Sequence, residues 1–570
     1  MNVQRKVKSI PDKLSKIVLR VLTTILLVML LSVCKQKTTV SSDTAFASLQ
    51  GMNDETLFRT ITRELSDDSF GGREPLTPYE APTIEYIANR FKEVGLEPAA
   101  GGSYFQKVPL LSVKTHLKNN EITVNGTNGV INLRSGNDVV IWTLHAEKQL
   151  KVEDVDFVFA GFGIYAPEYG WDDYAGIDVK GKVVVVMVND PGFFDENLFR
   201  GKNMTYYGRW TYKFEEAGRR GAAAALIIHD TEPASYGWSV VQNSRTSPTL
   251  TLNSETGNRE LIPFQGWVTG DAAQKLFDAA GVSLSESLAA AKKKGFRSFP
   301  LNLKTTIEST NDIVTGESAN VAAIIPGTSL KDEYIVYTGH WDHLGIGQPV
   351  DGDSIYNGAS DNATGIAALI MLGRRFKELP EPPKRSIVFL AVTAEESGLL
   401  GSRYYSENPL FPLEKTAVCL NMDSYGDRMR TYDVILSAPQ HSETDRYVID
   451  AAAAQGRTVT YSYDDPSGTY YRSDHINFAR KGVPVVLAKG GTEYINPEAA
   501  RAYLAKYHDG KDTYHQPSDE YFEWWDLSGA FEDIYLFYAI GLRLANESYF
   551  PKWNDGAEFK AVRDQSANYR

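Results

Sequence analysis

The spacing of apolar positions changes several times along the chain, and each change marks a new element. Ile84, Ile87, Ala88, Phe91 and Val94 recur at helical intervals, and Gly95 stands where a helix C-terminus favours glycine. A loop with Gly101, Gly102 and Phe105 leads to the strand-like run Val108 to Val113. From about Val155 the texture becomes strand-rich, with Phe157 to Phe162, Lys182 to Val188 and Ala222 to Ile228. A helical run over Asp271 to Lys294 then precedes an extended segment, Phe299 to Thr306.

After Asn320 short apolar runs alternate with helical ones. The spacing predicts strands over Tyr334 to Thr338, Ser386 to Val392, Thr416 to Met422, Val434 to Ser437 and Val483 to Ala488. It predicts helices over Ala363 to Glu378, Leu399 to Ser406, Thr444 to Ala454 and Asp526 to Asn546. This alternation points to an α/β sheet covered on both faces. No internal repeat or long low-complexity segment interrupts it.

Composition narrows the classes. At 570 residues the chain exceeds what a single core usually organises, and 42% hydrophobic with 23% charged residues is ordinary for a globular protein. A formal charge of -13 leaves no obvious basic face, which argues against nucleic acid as a partner. Cys34 and Cys419 are the two cysteines, too few for a disulfide framework, and Cys419 reads as an inert core thiol. Near the N-terminus Arg5, Lys6, Lys8, Lys13, Lys16 and Arg20 precede the apolar run Val21 to Val33, the form of an export signal and short for a spanning helix. Leu31, Ser32, Val33 and Cys34 resemble a bacterial lipobox, with valine where a small residue is usual. The expected location is therefore exported and membrane-anchored as a periplasmic or cell-surface lipoprotein, or else secreted.

Candidate chemistry gathers where the later strands end, since ligands of α/β sheets bind at the carboxyl edge. The first strand runs into Gly339, His340, Trp341, Asp342 and His343, the second into Thr393, Ala394, Glu395 and Glu396, and the third ends at Asp423. Histidine, glutamate and aspartate at three consecutive strand ends suit zinc. Asp361, at a predicted helix start, is placed to bridge two cations, and His515 in Tyr514-His515-Gln516-Pro517-Ser518-Asp519 supplies a second imidazole. Buried without cations, Glu395 and Glu396 would be costly to desolvate. Asp342 is expected to orient the His340 ring, and Asp519 with Ser518 the His515 ring. His343 and His475 read as packed or supporting rings rather than ligands.

The segments GHWDHLG, GASDNATG, TAEESGLLGS, NMDS and YHQPSDEY resemble the motif set of the M28 family of metallopeptidases. The inserted stretch, with GFGIYAPEYGWDDYAG, DVKGKVVVVMVNDPG and FEEAGRRGAAAALIIHD, resembles a protease-associated domain. The resemblance implies a mixed, mostly parallel central sheet flanked by helices, of the zinc aminopeptidase type, with an inserted β-rich domain. It implies two zinc ions, one on His340 and Asp423, the other on Glu396 and His515, with Asp361 shared. Glu395 becomes the general base and Tyr514 the phenolic donor to the oxyanion. The implied organisation is a lipoprotein-type signal peptide (1–34), a flexible tether (35–50), a first peptidase part (51–140), a protease-associated insert (141–305), the catalytic part (306–550) and a tail (551–570).

The expected function is removal of N-terminal residues from peptides. A glutamate-carboxypeptidase-like activity is the alternative, kept open by Arg472, which offers a cation to a substrate carboxylate. Glutaminyl cyclase, which uses one zinc, and a receptor-like homologue without metals fit the five-ligand set less well. Neither GxSxG nor HExxH occurs.

Overall fold

The computed structural model describes residues 52–566 except 245–246, 427, 438–440, 463–464 and 509–512. The expected signal peptide, the tether and Cys34 lie outside the described residues. Among the described residues no helix is long and apolar enough to cross a membrane.

Eleven strands organise the architecture: β1 (Phe105–Leu117), β2 (Val139–Trp142), β3 (Gln149–Phe159), β4 (Val183–Met187), β5 (Ala224–Ile228), β6 (Phe264–Val268), β7 (Phe299–Ile325), β8 (Leu330–His340), β9 (Arg385–Val392), β10 (Thr416–Asn421) and β11 (Val485–Val486). They run side by side in the order β11-β10-β8-β9-β7-β3-β4-β5-β6-β2, with β1 also paired to β7. β8 is parallel to β9 and β10, β10 to β11, and β3 to β6 are parallel to their neighbours in turn. β7 is antiparallel to both β9 and β3, so one strand joins two parallel halves. The sheet is thus mixed and mostly parallel, as expected.

The apolar runs of β8, β9 and β10 are continuous because both faces are covered. The flanking helices are α1 (Met52–Leu65), α2 (Glu80–Glu93), α3 (Thr364–Lys377), α4 (Leu400–Glu407), α5 (Thr444–Ala454) and α6 (Ser528–Asn546). Val336, Val388, Leu390 and Cys419 pack with Tyr405 of α4, Phe478 and Val485. On the opposite face Tyr337 stacks on Phe389 with ring centroids 5.6 Å apart, lies 5.8 Å from Phe376 of α3, and donates its hydroxyl to the Phe537 carbonyl of α6 at 2.9 Å. Each large apolar side chain buried this way contributes about 1.5–3 kcal/mol.

Three expectations shift in detail. Val434 to Ser437 forms Asp433–Leu436, which joins Thr458–Tyr461 and Ala488–Gly490 in a separate small sheet. The helical run Asp271 to Lys294 is two helices, Gly270–Ala280 and Leu284–Ala291, divided at Gly281 in the left-handed region (φ 70). The segment Phe299 to Thr306 continues without a break to Ile325, so residues 305 and 306 fall inside one strand. Alternating apolar residues Leu301, Leu303 and Ile307 hold its first half in the core of the inserted block, and Val321 to Ala323 hold its second half in the catalytic sheet.

The inserted block has its own two-sided core. Val183, Val185 and Met187 face Phe277 and Leu276, while Val184, Val186 and Val188 face Phe214 and Ala217. That explains the unbroken run Lys182 to Val188. Ile122, Val124, Leu133, Val139 and Ile141 also pack into this core from earlier in the chain.

One contact gives a test of the packing. A Cβ at Gly541 of α6 would collide with the Tyr337 hydroxyl, which is locked by its hydrogen bond. Gly541→Ala is expected to destabilise the protein by about 1–3 kcal/mol, read by chemical denaturation; unchanged stability would refute the tight seating of α6.

Candidate metal centre

Register brings the candidate residues together. His340 at the end of β8 pairs with Val392 of β9, and Thr338 pairs with Asn421 of β10. Asp423, two residues past Asn421, therefore lies level with His340, and Glu395 and Glu396 follow Val392 at the same edge. Parallel strands put all three ends on one side of the sheet.

The distances bear this out. His340 Nε2 lies 3.2 Å from Asp361 Oδ1 and 3.7 Å from Asp423 Oδ1. His515 Nε2 lies 3.0 Å from Glu396 Oε2 and 3.5 Å from Asp361 Oδ2. Asp361 thus turns one oxygen to each imidazole. Ligand-type atoms of His340, Asp361 and Glu396 all fall within 4.8 Å of one another, as do those of His340, Glu395 and Asp423. Dispersed over more than 170 residues of sequence, these five candidate side chains lie together at one edge of the sheet.

The supporting contacts differ from expectation in two places. The Asp342 carbonyl, rather than its carboxylate, meets His340 Nδ1 at 3.1 Å; the carboxylate is 3.9 Å away. It instead accepts the backbone N–H groups of Glu395 at 3.0 Å and Glu396 at 3.3 Å, fixing the turn after β9. Asp519 accepts the N–H groups of Ser360 and Asp361, both at 3.0 Å, and so positions Asp361 rather than the His515 ring. The reason is shared: each turn leaves backbone donors without a helix or sheet partner, and a buried carboxylate satisfies them in pairs. Asp361 itself is extended (φ -110, ψ 92), three residues before α3, so no helix N-terminus cradles it.

His343 holds Glu396, with Nδ1 2.8 Å from Oε1. His475 is a packed core ring whose Nε2 meets the Tyr470 carbonyl at 2.6 Å. Tyr514 is 62% exposed and stacks on His515, with centroids 3.8 Å apart and planes 20° apart.

Sequence reasoning passed over three supporting residues. Arg73, fully enclosed, donates to the carbonyls of Leu65, Asn357, Gly358 and Trp341 at 2.6–2.8 Å, clamping the loops on either side of His340 and Asp361. Asn362 donates to the Met422 carbonyl at 3.0 Å and accepts from Gly365 and Ser424, tying the Asp361 loop to the Asp423 loop. Gly365 has no room for a Cβ beside the Asn362 side chain, so glycine is required there. Ser473 donates to Asp423 Oδ2 at 2.7 Å and accepts from Asn421. A signal did exist for Arg73: Gly71 and Gly72 both adopt positive φ (50 and 67) in a loop that interrupts helical sequence.

The electrostatics call for cations. Burial alone would lower the His340 imidazole, but Glu395, Asp361 and Asp423 outweigh it and hold it well above its ordinary value. Burial pushes Glu395 well above the carboxylate range, and Glu396, Asp474 and Asp423 add to the push against His340. Burial likewise raises Asp342 and Asp474 to about 7 and Asp519 to about 6. Arg73, pushed down to about 10 by burial, still carries charge at neutral pH. His515 Nε2 is buried and forms no hydrogen bond, and both oxygens of buried Asp474 lack one among the described residues. Two imidazoles and four carboxylates aimed inward, with an orphaned ring nitrogen, form a donor set that fits divalent metal.

Fold and site together define an α/β protein with a metal-ligand cluster at the carboxyl edge of a mostly parallel sheet. Residues 320–539 match the family model described as Peptidase family M28. That segment is similar to peptidase family M28 and covers less than half of the chain.

It is 34% identical to Aminopeptidase NAALADL1 of Mus musculus over 131 residues, 22% of this chain and 16% of that protein. It is 25% identical to Probable glutamate carboxypeptidase AMP1 of Arabidopsis thaliana over 369 residues, 60% of this chain and 47% of that protein. The matches span less than half the length of either relative. Among solved structures, the aminopeptidase from Aneurinibacillus sp. strain AM-1 aligns over 87% of this chain and 95% of its own, at 17% identity and a TM-score of 0.46.

The buried His475 ring sets a pH dependence. Burial lowers it from 6.5 to about 4, against the Tyr470 carbonyl and Asp423. Between those values the unfolded chain carries a proton that the folded chain refuses, so this contribution to stability is lost as pH falls from about 6.5 through about 4. The melting temperature is expected to drop over that interval, and less steeply for His475→Gln; parallel curves for the two proteins would refute the assignment.

Proposed function

We propose that the protein is a zinc-dependent exopeptidase that removes N-terminal residues from peptides. The observation that carries this reading is Glu395: its carboxylate lies within 4.8 Å of the donor atoms of His340 and Asp423, yet no protein hydrogen bond to it forms among the described residues. A carboxyl group left free at the centre of a ligand cluster is placed to move a proton. The proposed ligands are His340, Asp361, Glu396, Asp423 and His515, with Asp361 shared between two ions. When bound, zinc supplies Lewis-acid polarisation of the scissile carbonyl and lowers the pKa of water.

Glu395 takes the proton of the attacking water on its carboxylate and passes it to the departing amine nitrogen. Its turn is fixed by Asp342 through two N–H groups, which keeps the carboxylate directed at the same point before and after transfer. The nearby Asp361 and Glu396 carboxylates hold the Tyr514 phenol above its ordinary value, so it stays a protonated donor to the oxyanion at neutral pH. The free base and full donor set weigh against the one-zinc cyclase and metal-free receptor alternatives. Removal of a C-terminal residue is the second reading, favoured by cationic side chains in the cavity beside the site. The inserted block is proposed to be a protease-associated domain whose aromatic face, with Tyr206, Trp210 and Tyr236, walls that cavity.

Glu395→Gln is expected to leave a folded protein with unchanged zinc content by elemental analysis and peptidase activity down by about 10³-fold or more. Chelation should abolish wild-type activity, and Tyr514→Phe should lower kcat more than it raises KM. Substantial turnover by Glu395→Gln would remove its role; cleavage of N-blocked but not free peptides would transfer the reading to a carboxypeptidase.

For location, residues 1–34 are proposed as a lipoprotein-type signal with Cys34 as the acylated residue of an exported, membrane-anchored protein. Mass spectrometry of the N-terminus of protein from the membrane fraction tests this, and an unmodified Cys34 would sink it.

A further inference from the structure

One carboxyl joins three parts of the chain. Glu558 lies in the segment after α6, half-buried, and its Oε1 accepts the Tyr206 N–H of the inserted block at 3.2 Å. The Tyr471 hydroxyl, from the loop that leads to Ser473, donates to its Oε2 at 2.9 Å and to its Oε1 at 3.1 Å. The segment itself is anchored to the catalytic half: Trp553 Nε1 donates to the Gly482 carbonyl at 2.8 Å, and Arg563 to the carbonyls of Thr416 at 2.9 Å and Leu413 at 3.2 Å. The Tyr206 ring lies 6.0 Å from that of Phe559 and 6.0 Å from that of Tyr471.

Both tyrosines wall a cavity of about 490 Å³ that reaches Glu395 and His515, a volume in the small-ligand range of about 300–1,000 Å³. One tyrosine comes from the inserted block and the other from the catalytic half, so their spacing sets the width of the cavity. Glu215 ties the same joint, accepting the Tyr206 hydroxyl at 2.7 Å and Arg480 Nη2 at 2.9 Å. On the catalytic side the grip comes close to the metal centre, since Ser473, two residues beyond Tyr471, holds Asp423.

Burial first raises the Glu558 carboxyl to about 7, with Asp190 adding to the push, against the Tyr471 hydroxyl, Arg200 and the Tyr206 N–H. Around it the phenols of Tyr169, Tyr206, Tyr207, Tyr470 and Tyr471 are held above their ordinary value, by burial first, and stay protonated at neutral pH. Burial lowers Lys213 beside Asp190, while Lys560 of the Glu558 segment pairs with Asp564. A carboxyl raised from 4.5 to about 7 keeps its proton in the folded chain where the unfolded chain has lost it. Its contribution to the joint is therefore full below about 4.5 and is lost as pH rises through about 7.

We infer that Glu558 is a positioning residue: by clasping Tyr206 to Tyr471 it fixes the width of the peptide cavity and so tunes substrate binding. This deepens the peptidase reading and rests on it. Loss of the Glu558 proton loosens the clasp, because a charged carboxylate is then enclosed beside Asp190.

The zinc-loaded full chain is compared with Glu558→Gln and Glu558→Ala on leucyl-alanyl-alanine, together with amide hydrogen exchange at Tyr206. The alanine variant is expected to raise KM about threefold or more with kcat within about twofold, since it removes binding geometry and no reacting group. Wild-type KM should rise by a similar factor between about pH 6 and about pH 8, whereas glutamine, a permanently neutral acceptor that leaves Lys213 in place, should keep KM nearly flat. Exchange at Tyr206, corrected for its intrinsic pH dependence, should follow the same order. If the alanine variant fails to fold, the glutamine comparison carries the test. Lost protection at Tyr206 in Glu558→Ala without turnover of any peptide by the wild type would remove the peptidase reading and keep the clasp. Unchanged exchange at Tyr206, or parallel KM profiles for wild type and Glu558→Gln, would overturn the inference.

Discussion

Buried negative charge at the carboxyl edge of β8, β9 and β10 is the constraint around which the rest of the structure is built. Asp342, Asp361, Glu395, Glu396, Asp423, Asp474 and Asp519 crowd a region whose internal cations are Arg73 and the imidazoles. Such a cluster is stable only if each carboxylate is met by donors or by metal. The structure divides the labour. Asp342 and Asp519 are spent on backbone N–H groups, Glu396 on His343, and Asp423 on Ser473, while the faces of His340, Asp361 and His515 toward one another are left to cations.

Preorganisation follows from the same contacts. Arg73 clamps the loops after β8 and before α3 through their carbonyls, and Asn362 ties the second of these to the turn after β10. A ligand set drawn from separate strands and loops therefore keeps its geometry through neutral and charged hydrogen bonds that do not themselves enter the cluster. Side chains of the inserted block, Arg209 and Trp210 among them, line a cavity that also reaches Glu395, Glu396 and His515.

Strand β7 links the two halves physically. Its length of 27 residues carries it from the core of the inserted block into the catalytic sheet, so the two cores share one backbone ladder. A hinge at residue 305 or 306 would have to break hydrogen bonds to β3.

How much was legible in sequence depended on whether the signal was local. Strand runs such as Ser386 to Val392, helix periods such as Ala363 to Glu378, and the chemical types of His340, Asp361, Glu396, Asp423 and His515 were all present in the chain itself, because apolar period and side-chain chemistry are properties of neighbouring residues. What those residues supported was not local. The choice of the Asp342 carbonyl over its carboxylate, the use of Asp519 for the Asp361 backbone and the burial of Arg73 depend on which unsatisfied donors and acceptors tertiary packing brings together. Sequence determined most of the elements that form and the candidate ligands they carry; only the folded chain decided the hydrogen-bond partners, since these are set by distances that local sequence pattern does not encode.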